Sequence, residues 1–376
     1  MFFSIVLLIV TLLGLWTAGT TYFLCGKRKW RGCLLVTLAG DSFLGWFFLS
    51  TAHWRPGIGS QESFYFRLLA MLLMFQLVLN LLVTISLCLR FIYRRILHTP
   101  TDPSRRRFLK AAVAYPAAAA TLSVYGGEIE RKHAVDREFT IPFPAAVQAK
   151  GVRIAQISDI HLGAFFSTDD FSALLARISK QGADALMVTG DLFDDPSQNE
   201  QAAAILSHFV PHFPKGIYFV MGNHEYYRGG LAMVQRILKS TGVHFLSNSA
   251  IPMPDTDLWV AGVDFSFLRG SAYDTQRKEY LDEAMAHVPD PQKTLLLAHH
   301  PDFMDEAAAI GIPLTLSGHT HGSQLGFLGQ PLIPVFKYTR GLFRHGASYG
   351  YVHCGNGSWF PFRLGCPPEI AYFTIT

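Results

Sequence analysis

The chain has 376 residues, half of them hydrophobic and only 16% charged, with a mean hydropathy of +0.23. That length accommodates two domains, and that hydropathy places part of the chain in lipid. Net charge is +4, but thirteen Lys and Arg against three acids give residues 1–110 a charge of +10 and leave −6 on the remainder, which argues against nucleic acid as a partner.

In chain order, apolar runs at about 2–24, 33–52 and 68–89 come first, each long enough to cross a bilayer as a helix. A shorter Ala-rich run at about 110–127 is a fourth candidate. Residues 1–127 are therefore expected to form an all-α transmembrane region of about four helices. Basic clusters at Lys27 to Arg31 and at Arg90 to Lys110 fall on the cytoplasmic side by the positive-inside rule. The topology that follows has the N-terminus outside, four crossings, and everything after about residue 127 outside the cytoplasm. In a bacterium that is a multi-pass protein of the inner membrane with the part after residue 127 on the periplasmic side. Asp41, near the middle of the second run, is either functional or held by a partner such as Asn80.

The second basic cluster reads Ser104-Arg105-Arg106-Arg107-Phe108-Leu109-Lys110. It resembles the twin-arginine export signal, which carries folded proteins; a plain cytoplasmic anchor is the alternative. Of five cysteines, Cys25, Cys33 and Cys88 lie in or beside apolar runs, and there is no CxxC. Cys354 and Cys366 flank a loop near the C-terminus, and a disulfide between them is open if that part is exported.

Residues 128–150 read as a lead-in strand or arm. From Val152 the pattern is rhythmic. β-Branched apolar runs end in polar turns at 153–158, 185–189, 217–221, 258–263, 294–298 and 314–317. Helical patterns lie between some of them, at 169–181, 199–209, 229–240 and 276–287. Two late strands, near 349–354 and 370–375, have no helix between them. Residues 151–376 are thus expected to be an α/β domain of two packed sheets, with its polar turns gathered at one end.

Five motifs occupy those turns: Asp159-Ile160-His161, Gly190-Asp191, Gly222-Asn223-His224-Glu225, His299, and Gly318-His319-Thr320-His321. Asp159, His161, Asp191, Asn223, His299, His319 and His321 offer carboxylate, imidazole and amide donors, enough for two divalent cations. Mixed nitrogen and oxygen donors suit Mn, Fe, Zn or Co better than Mg or Ca. Two such cations polarise phosphoryl oxygens and acidify a bridging water for attack on phosphorus. Asp191 can bridge the cations, and His224, next to Asn223, is the candidate general acid or transition-state stabiliser.

The ordered set resembles the calcineurin-like metallophosphoesterase superfamily over roughly residues 150–376. The resemblance implies a four-layer αββα sandwich. It implies one metal held by Asp159, His161, Asp191 and His321, and a second held by Asp191, Asn223, His299 and His319. His224 matches the family's histidine beside the metal-binding Asn. The tail around Gly355-Asn356-Gly357, Arg363-Leu364-Gly365 and Pro368-Glu369-Ile370 resembles a membrane-tethered, exported bacterial branch. His300 doubles His299, so the two exchange roles in one reading, and Ser323 replaces a common Gly. Asp194 and Asp195 are either orienting groups for a ligand His or a solvated loop. Arg340, Arg344 and Arg363 are either substrate-phosphate ligands or ordinary ion pairs. Trp359-Phe360-Pro361-Phe362 is either a lipid contact or core.

The expected activity is hydrolysis of phosphate mono- or diesters, with lipid-linked or cell-envelope substrates and the bilayer as a partner. A hydrolase of the UDP-2,3-diacylglucosamine pyrophosphatase type is the alternative, and its cytoplasmic substrate counts against it. A non-catalytic binding or sensor protein on the same fold is the alternative from another class.

Overall fold

The computed structural model describes residues 11–22, 31–32, 34–35, 38–40, 42–43, 60–97, 105–163, 165–358 and 360–376. Two compact units divide it: Met1–Arg55 with Gln61–Ile129, and Pro56–Ser60 with Glu130–Thr376.

In the first unit residues 11–22 are helical, α1 spans Ser60–Leu97 and α2 spans Arg105–Val124. Among the described residues, Ala70–Leu89 of α1 is the one stretch long and apolar enough to cross a membrane. α2 covers the expected fourth run, but it begins on three arginines, contains Pro116 and ends in a π-turn at Tyr125–Ile129. Residues 11–22 of the run at 2–24 are described and helical, while the run at 33–52 lies largely outside the described residues. Asp41, Cys25, Cys33 and Ser104 lie wholly outside them. Asn80, considered above as a partner for Asp41, is bonded to two threonines. Its Nδ2 donates to Thr17 Oγ1 at 2.8 Å, and its Oδ1 accepts from Thr20 Oγ1 at 2.7 Å. A buried amide among apolar helices needs such partners, because no water is there to supply them.

The second unit holds two six-stranded sheets. Sheet A contains β1 (Val135–Ile141), β14 (Glu369–Ile375), β2 (Arg153–Ile157), β3 (Ala185–Val188), β4 (Ile217–Phe219) and β5 (His244–Phe245), in that spatial order. Sheet B contains β12 (Gly341–His345), β13 (Ser348–Val352), β9 (Leu314–Ser317), β8 (Thr294–Leu297), β7 (Trp259–Gly262) and β6 (Ser249–Pro252). A short hairpin, β10 (Gly326–Phe327) with β11 (Gln330–Pro331), stands apart from both. The central strands β2 to β5, and β7, β8, β9 and β13, run parallel within their sheets. β14 is antiparallel to β2, and the lead-in strand β1 pairs with it in parallel.

Strand residues alternate between two cores because successive side chains point to opposite faces. Ile154, Ala185 and Met187 meet Val260, Leu295, Leu297, Leu314 and Leu316 between the sheets. Ala155, Ile157, Leu186 and Val188 face the other way, onto helices α3 (Thr168–Lys180), α4 (Asn199–Phe209) and α6 (Gly230–Leu238). On the outside of sheet B, Ala261, Leu296 and Ala298 pack on Leu281 of α7 (Ser271–Met285) and Phe303 of α8 (Phe303–Ala309). Both faces of each sheet are covered, which explains the nearly unbroken apolar strands. The layers run helix, sheet, sheet, helix. The strands at 341–345 and 244–245, the β10–β11 hairpin and α8 have no clear counterpart in the sequence pattern, being short or polar.

Phe373 of β14 is fully buried in the inter-sheet core, with ring centroids 5.4 Å from Phe139 and 5.3 Å from Tyr351. Phe373→Ala is expected to cost about 3–5 kcal/mol, since it removes a ring from a packed core. A fall in the denaturant midpoint with an unchanged slope is the measurement that checks it.

Candidate metal centre

Every one of the five motifs sits just past the carboxyl end of a parallel strand: Asp159 and His161 after β2, Asp191 after β3, Asn223 after β4, His299 after β8, His319 and His321 after β9. Sheets of this kind bind ligands outside the carboxyl ends of their strands. Here both sheets direct those ends to one place. The turns are tight. Asp159, His161, Asp191, His319 and His321 all have positive φ, between 48° and 71°. That region is costly for residues with a Cβ, and such strain gathers at functional sites.

Three groups of donor atoms result among the described residues. Asp159, His161 and His321 form one, Asp191, His299 and His319 another, and His161 with Asp194 and His224 the third, beside the first; within each, ligand atoms lie within 4.8 Å of one another. His161 Nε2 is 3.1 Å from His321 Nε2, and His321 Nε2 is 3.4 Å from Asp159 Oδ1. His299 Nε2 is 3.3 Å from Asp191 Oδ2 and 3.2 Å from His319 Nδ1. Asp191 Oδ2 is also 3.7 Å from His161 Nε2, so this carboxylate stands between the first two groups.

The residues fit divalent metal on two counts. Imidazole nitrogens this close are mutually satisfied by a cation, and Asn223 Oδ1 is a buried oxygen without a hydrogen-bond donor. Burial also pushes His319 and His321 well below the usual histidine range, with neighbouring imidazoles adding to the effect. Neutral imidazole is the form that ligates. The backbone permits the close approach: a Cβ on Gly222 would lie 2.1 Å from Asp191 Oδ1, and one on Gly318 2.0 Å from Ser158 Oγ.

Glu225 is fully buried and was quoted in a motif without a role. Its Oε2 accepts the N–H of Asp191 at 3.0 Å and of Gly222 at 2.7 Å. Its Oε1 accepts those of Leu192 at 2.7 Å and Phe193 at 2.9 Å. It therefore ties the Asp191 turn to the Asn223 turn. The signal for it in the sequence is position: it is the third residue after Gly222 at the start of the short helix α5 (Asn223–Tyr227), where a carboxylate reaches back to free N–H groups.

Asp194 is the orienting group that one reading of the sequence proposed. Its carboxylate is 3.2 Å from His161 Nδ1 and 3.0 Å from His224 Nδ1, and accepts from Arg228 Nε at 2.9 Å. Burial works against its charge, but the two histidines outweigh burial and hold the acid far below the usual range. The same pair shifts His224 upward: burial opposes its charge, while the Asp194 hydrogen bond and the Asp191 charge favour it. Asp195 does something else, accepting from Ser197 and Gln198 within its own turn.

His300 does not exchange with His299. It accepts from Asp302 N at 3.3 Å and lies 5.5 Å from the Tyr273 ring, to the side of the centre. Arg363 is not a substrate-phosphate ligand. It is fully buried and donates to Ser358 Oγ and to the carbonyls of Cys354, Gly355, Gly357 and Cys366. Arg340 donates to the carbonyls of Gly329 and Gly365, and Arg344 to that of Gly346. Cys354 and Cys366 are free, buried thiols behind Gly322, and Cys366 Sγ donates to the carbonyls of His321 at 3.6 Å and Gly322 at 3.5 Å. Ser323, with positive φ, donates to Leu325 O at 2.7 Å. Phe362 is core, and Trp359 lies outside the described residues.

Carboxylates, imidazoles and an orphan amide gathered this way are the marks of a divalent-metal protein. Comparison with known proteins specifies which. The family model for calcineurin-like phosphoesterases matches residues 152–323. An uncharacterized metallophosphoesterase of Aquifex aeolicus is 31% identical over 242 residues, which are 63% of this chain and 90% of that protein. One of Bacillus subtilis is 29% identical over 72% of this chain and 97% of its own length. A protein of Danio rerio described as a transmembrane protein with metallophosphoesterase domain is 29% identical over 68% of this chain and 60% of its own. Among solved structures, a dimetal phosphatase from Danio rerio aligns with a TM-score of 0.36 at 11% identity, over 56% of this chain and 90% of that one. The chain belongs to the calcineurin-like phosphoesterase family and is a metal-dependent phosphoesterase.

Two outcomes test the supporting carboxylates. Glu225→Gln leaves N–H donors facing an amide and is expected to cost about 2–4 kcal/mol, read as a lowered thermal midpoint. Asp194→Asn should weaken metal binding by about 10–100-fold, read by competitive chelator titration.

Proposed function

We propose that the protein is a membrane-anchored phosphoesterase with two divalent metals, hydrolysing phosphate mono- or diesters of lipid-linked or cell-envelope substrates. The observation that carries the metal count is Asp191, whose Oδ2 stands 3.3 Å from His299 Nε2 and 3.7 Å from His161 Nε2. Asp159, His161, Asp191 and His321 would hold one ion, and Asp191, Asn223, His299 and His319 the other. Bound divalent cations supply Lewis-acid polarisation of phosphoryl oxygen and a more acidic water.

The protein's own groups do the rest. Asp191 would be shared by the two ions, and its Oδ1 is fixed by the His224 N–H at 2.9 Å. Thr189 O, 2.6 Å from His299 Nδ1, sets that ring's tautomer so that Nε2 faces the centre. Asp194 does the same for His161. His224 Nδ1 lies 3.0 Å from Asp194 Oδ1, which leaves Nε2 as the ring nitrogen available to a substrate. That nitrogen can give a proton to the leaving oxygen or bond a phosphoryl oxygen. Phe265 and Phe336, with ring centroids 5.4 Å and 5.3 Å from His319, line the centre and exclude water beside it.

The anchoring part of the reading rests on three features. They are the apolar stretch Ala70–Leu89, the basic clusters that place those loops in the cytoplasm, and relatives described as transmembrane proteins. On that charge map the catalytic unit faces away from the cytoplasm, with Arg105 to Lys110 serving as a twin-arginine signal. A reporter fused after Thr376 tests it: alkaline-phosphatase activity is expected, and fluorescence from a GFP fusion with no phosphatase activity would reverse the topology.

The catalytic reading is tested on the detergent-purified chain by metal analysis and hydrolysis of bis-p-nitrophenyl phosphate. Asp191→Asn and His319→Ala should lose turnover together with bound metal. His224→Ala should keep its metal and lose about 10²–10⁴-fold in kcat. Full activity in the first two would overturn the ligand set.

A further inference from the structure

We infer that the second unit carries a lipid-docking surface around the mouth of the metal centre, formed by the apolar hairpin 326–336 and the loop 265–268. This rests on the reading of that centre as the active site of a membrane-tethered chain.

The hairpin exposes side chains that ordinary surfaces hide. Phe327 is 66% exposed, Leu328 86%, Leu332 58%, Ile333 53% and Val335 74%. From Leu325 to Phe336 there is no charged residue. Phe267 at 49% and Leu268 at 47% extend the apolar area from a second loop. Isolated exposed apolar residues need no explanation, but a cluster of this kind marks an interaction surface.

Both loops are rooted on the same imidazole. Phe336 ends the hairpin and contacts His319 and His300, with ring centroids at 5.3 Å and 5.7 Å. Phe265 begins the other loop and contacts His319 at 5.4 Å and Phe267 at 4.9 Å. The exposed apolar surface is therefore continuous with the wall of the metal centre.

A bilayer leaflet is the occupant that the molecule favours. Each apolar tip is followed at once by a cation, Leu268 by the exposed Arg269 and Phe336 by Lys337. Lys337 is 60% exposed and also pairs with Asp305. Exposed apolar side chains with cations adjoining them in the chain suit the boundary between acyl chains and anionic headgroups. The chain also carries Ala70–Leu89, long and apolar enough to cross a membrane, which keeps a bilayer within reach. A phosphate ester held at the headgroup level would then meet the metal centre without leaving the membrane.

A depth probe tests this in the full chain, with Cys25, Cys33 and Cys88 replaced by Ser. An NBD fluorophore is attached at Leu328→Cys or, as a control, at Asp255→Cys. Asp255 lies in the turn between β6 and β7, at the end of the sheet opposite the metal loops. The protein is reconstituted in vesicles of phosphatidylcholine and phosphatidylglycerol, with and without acyl-chain nitroxide lipid. The expected result is blue-shifted emission at position 328 that the nitroxide quenches, with neither effect at 255. Unshifted, unquenched emission at 328 would overturn the proposal. Blue-shifted emission at 328 that the nitroxide leaves intact would overturn it too, because a protein partner or second copy then covers the hairpin. Turnover of bis-p-nitrophenyl phosphate by the labelled chain reports that it is folded. Absence of that turnover in the unmodified chain would sink the catalytic reading and leave the depth measurement standing.

Discussion

The carboxylate of Glu225 sits where the chain has the least freedom to do anything else. Four backbone N–H groups from two separate turns point at it, and it is shut off from water. Donors buried in that way cost free energy unless paired, and an ionised acceptor pairs them best. The turns so fixed are those that present Asp191 and Asn223. Their donor atoms thus owe their position to a group that lies outside the ligand set. The remaining turns are held by similar means: His319 N–H donates to both oxygens of Asp159, and Asp159 N–H to Gly190 O.

These anchors explain how five non-glycine residues remain in the left-handed region. Each such conformation costs about 1–3 kcal/mol. The hydrogen bonds to Glu225 and Asp159, the missing Cβ atoms at Gly190, Gly222 and Gly318, and the packed strands beneath offset that cost. What the strain achieves is direction. A side chain leaving a strand end normally follows the pleat, while a positive φ turns it across the sheet edge toward its neighbours. Carboxylates and imidazoles from two sheets then converge on one point, which is the condition for a shared cation.

Much of this was legible from residues alone. The parallel strands announced themselves as short β-branched runs, because both faces of each are buried. The candidate metal ligands followed them in fixed order. Glu225 was harder to read, and Asp194 stood only as one of two alternatives, since each is defined by partners distant in the chain. Three of the four N–H groups on Glu225 come from more than thirty residues earlier, and Asp194 meets His161 and His224 from either side of it. Arg363 misled for the same reason. A guanidinium near phosphate chemistry suggests a phosphate ligand, but only the folded loop reveals four carbonyls already bonded to it. The apolar hairpin escaped notice because its strands are two residues each, too short for any period to show.

The position of β14 has a consequence for how the molecule comes into being. It lies between β1 and β2, which precede it by more than two hundred residues, and bonds to both. Sheet A therefore cannot close while the ribosome is still translating the segments between. Until Glu369–Ile375 emerges, β1 and β2 present unpaired edges, and the turn bearing Asp159 has only half its support. Long-range pairing of this sort is slow. The two N-terminal strands of sheet A therefore reach each other only through a strand that is made long after both, and the sheet closes only once that strand is in place.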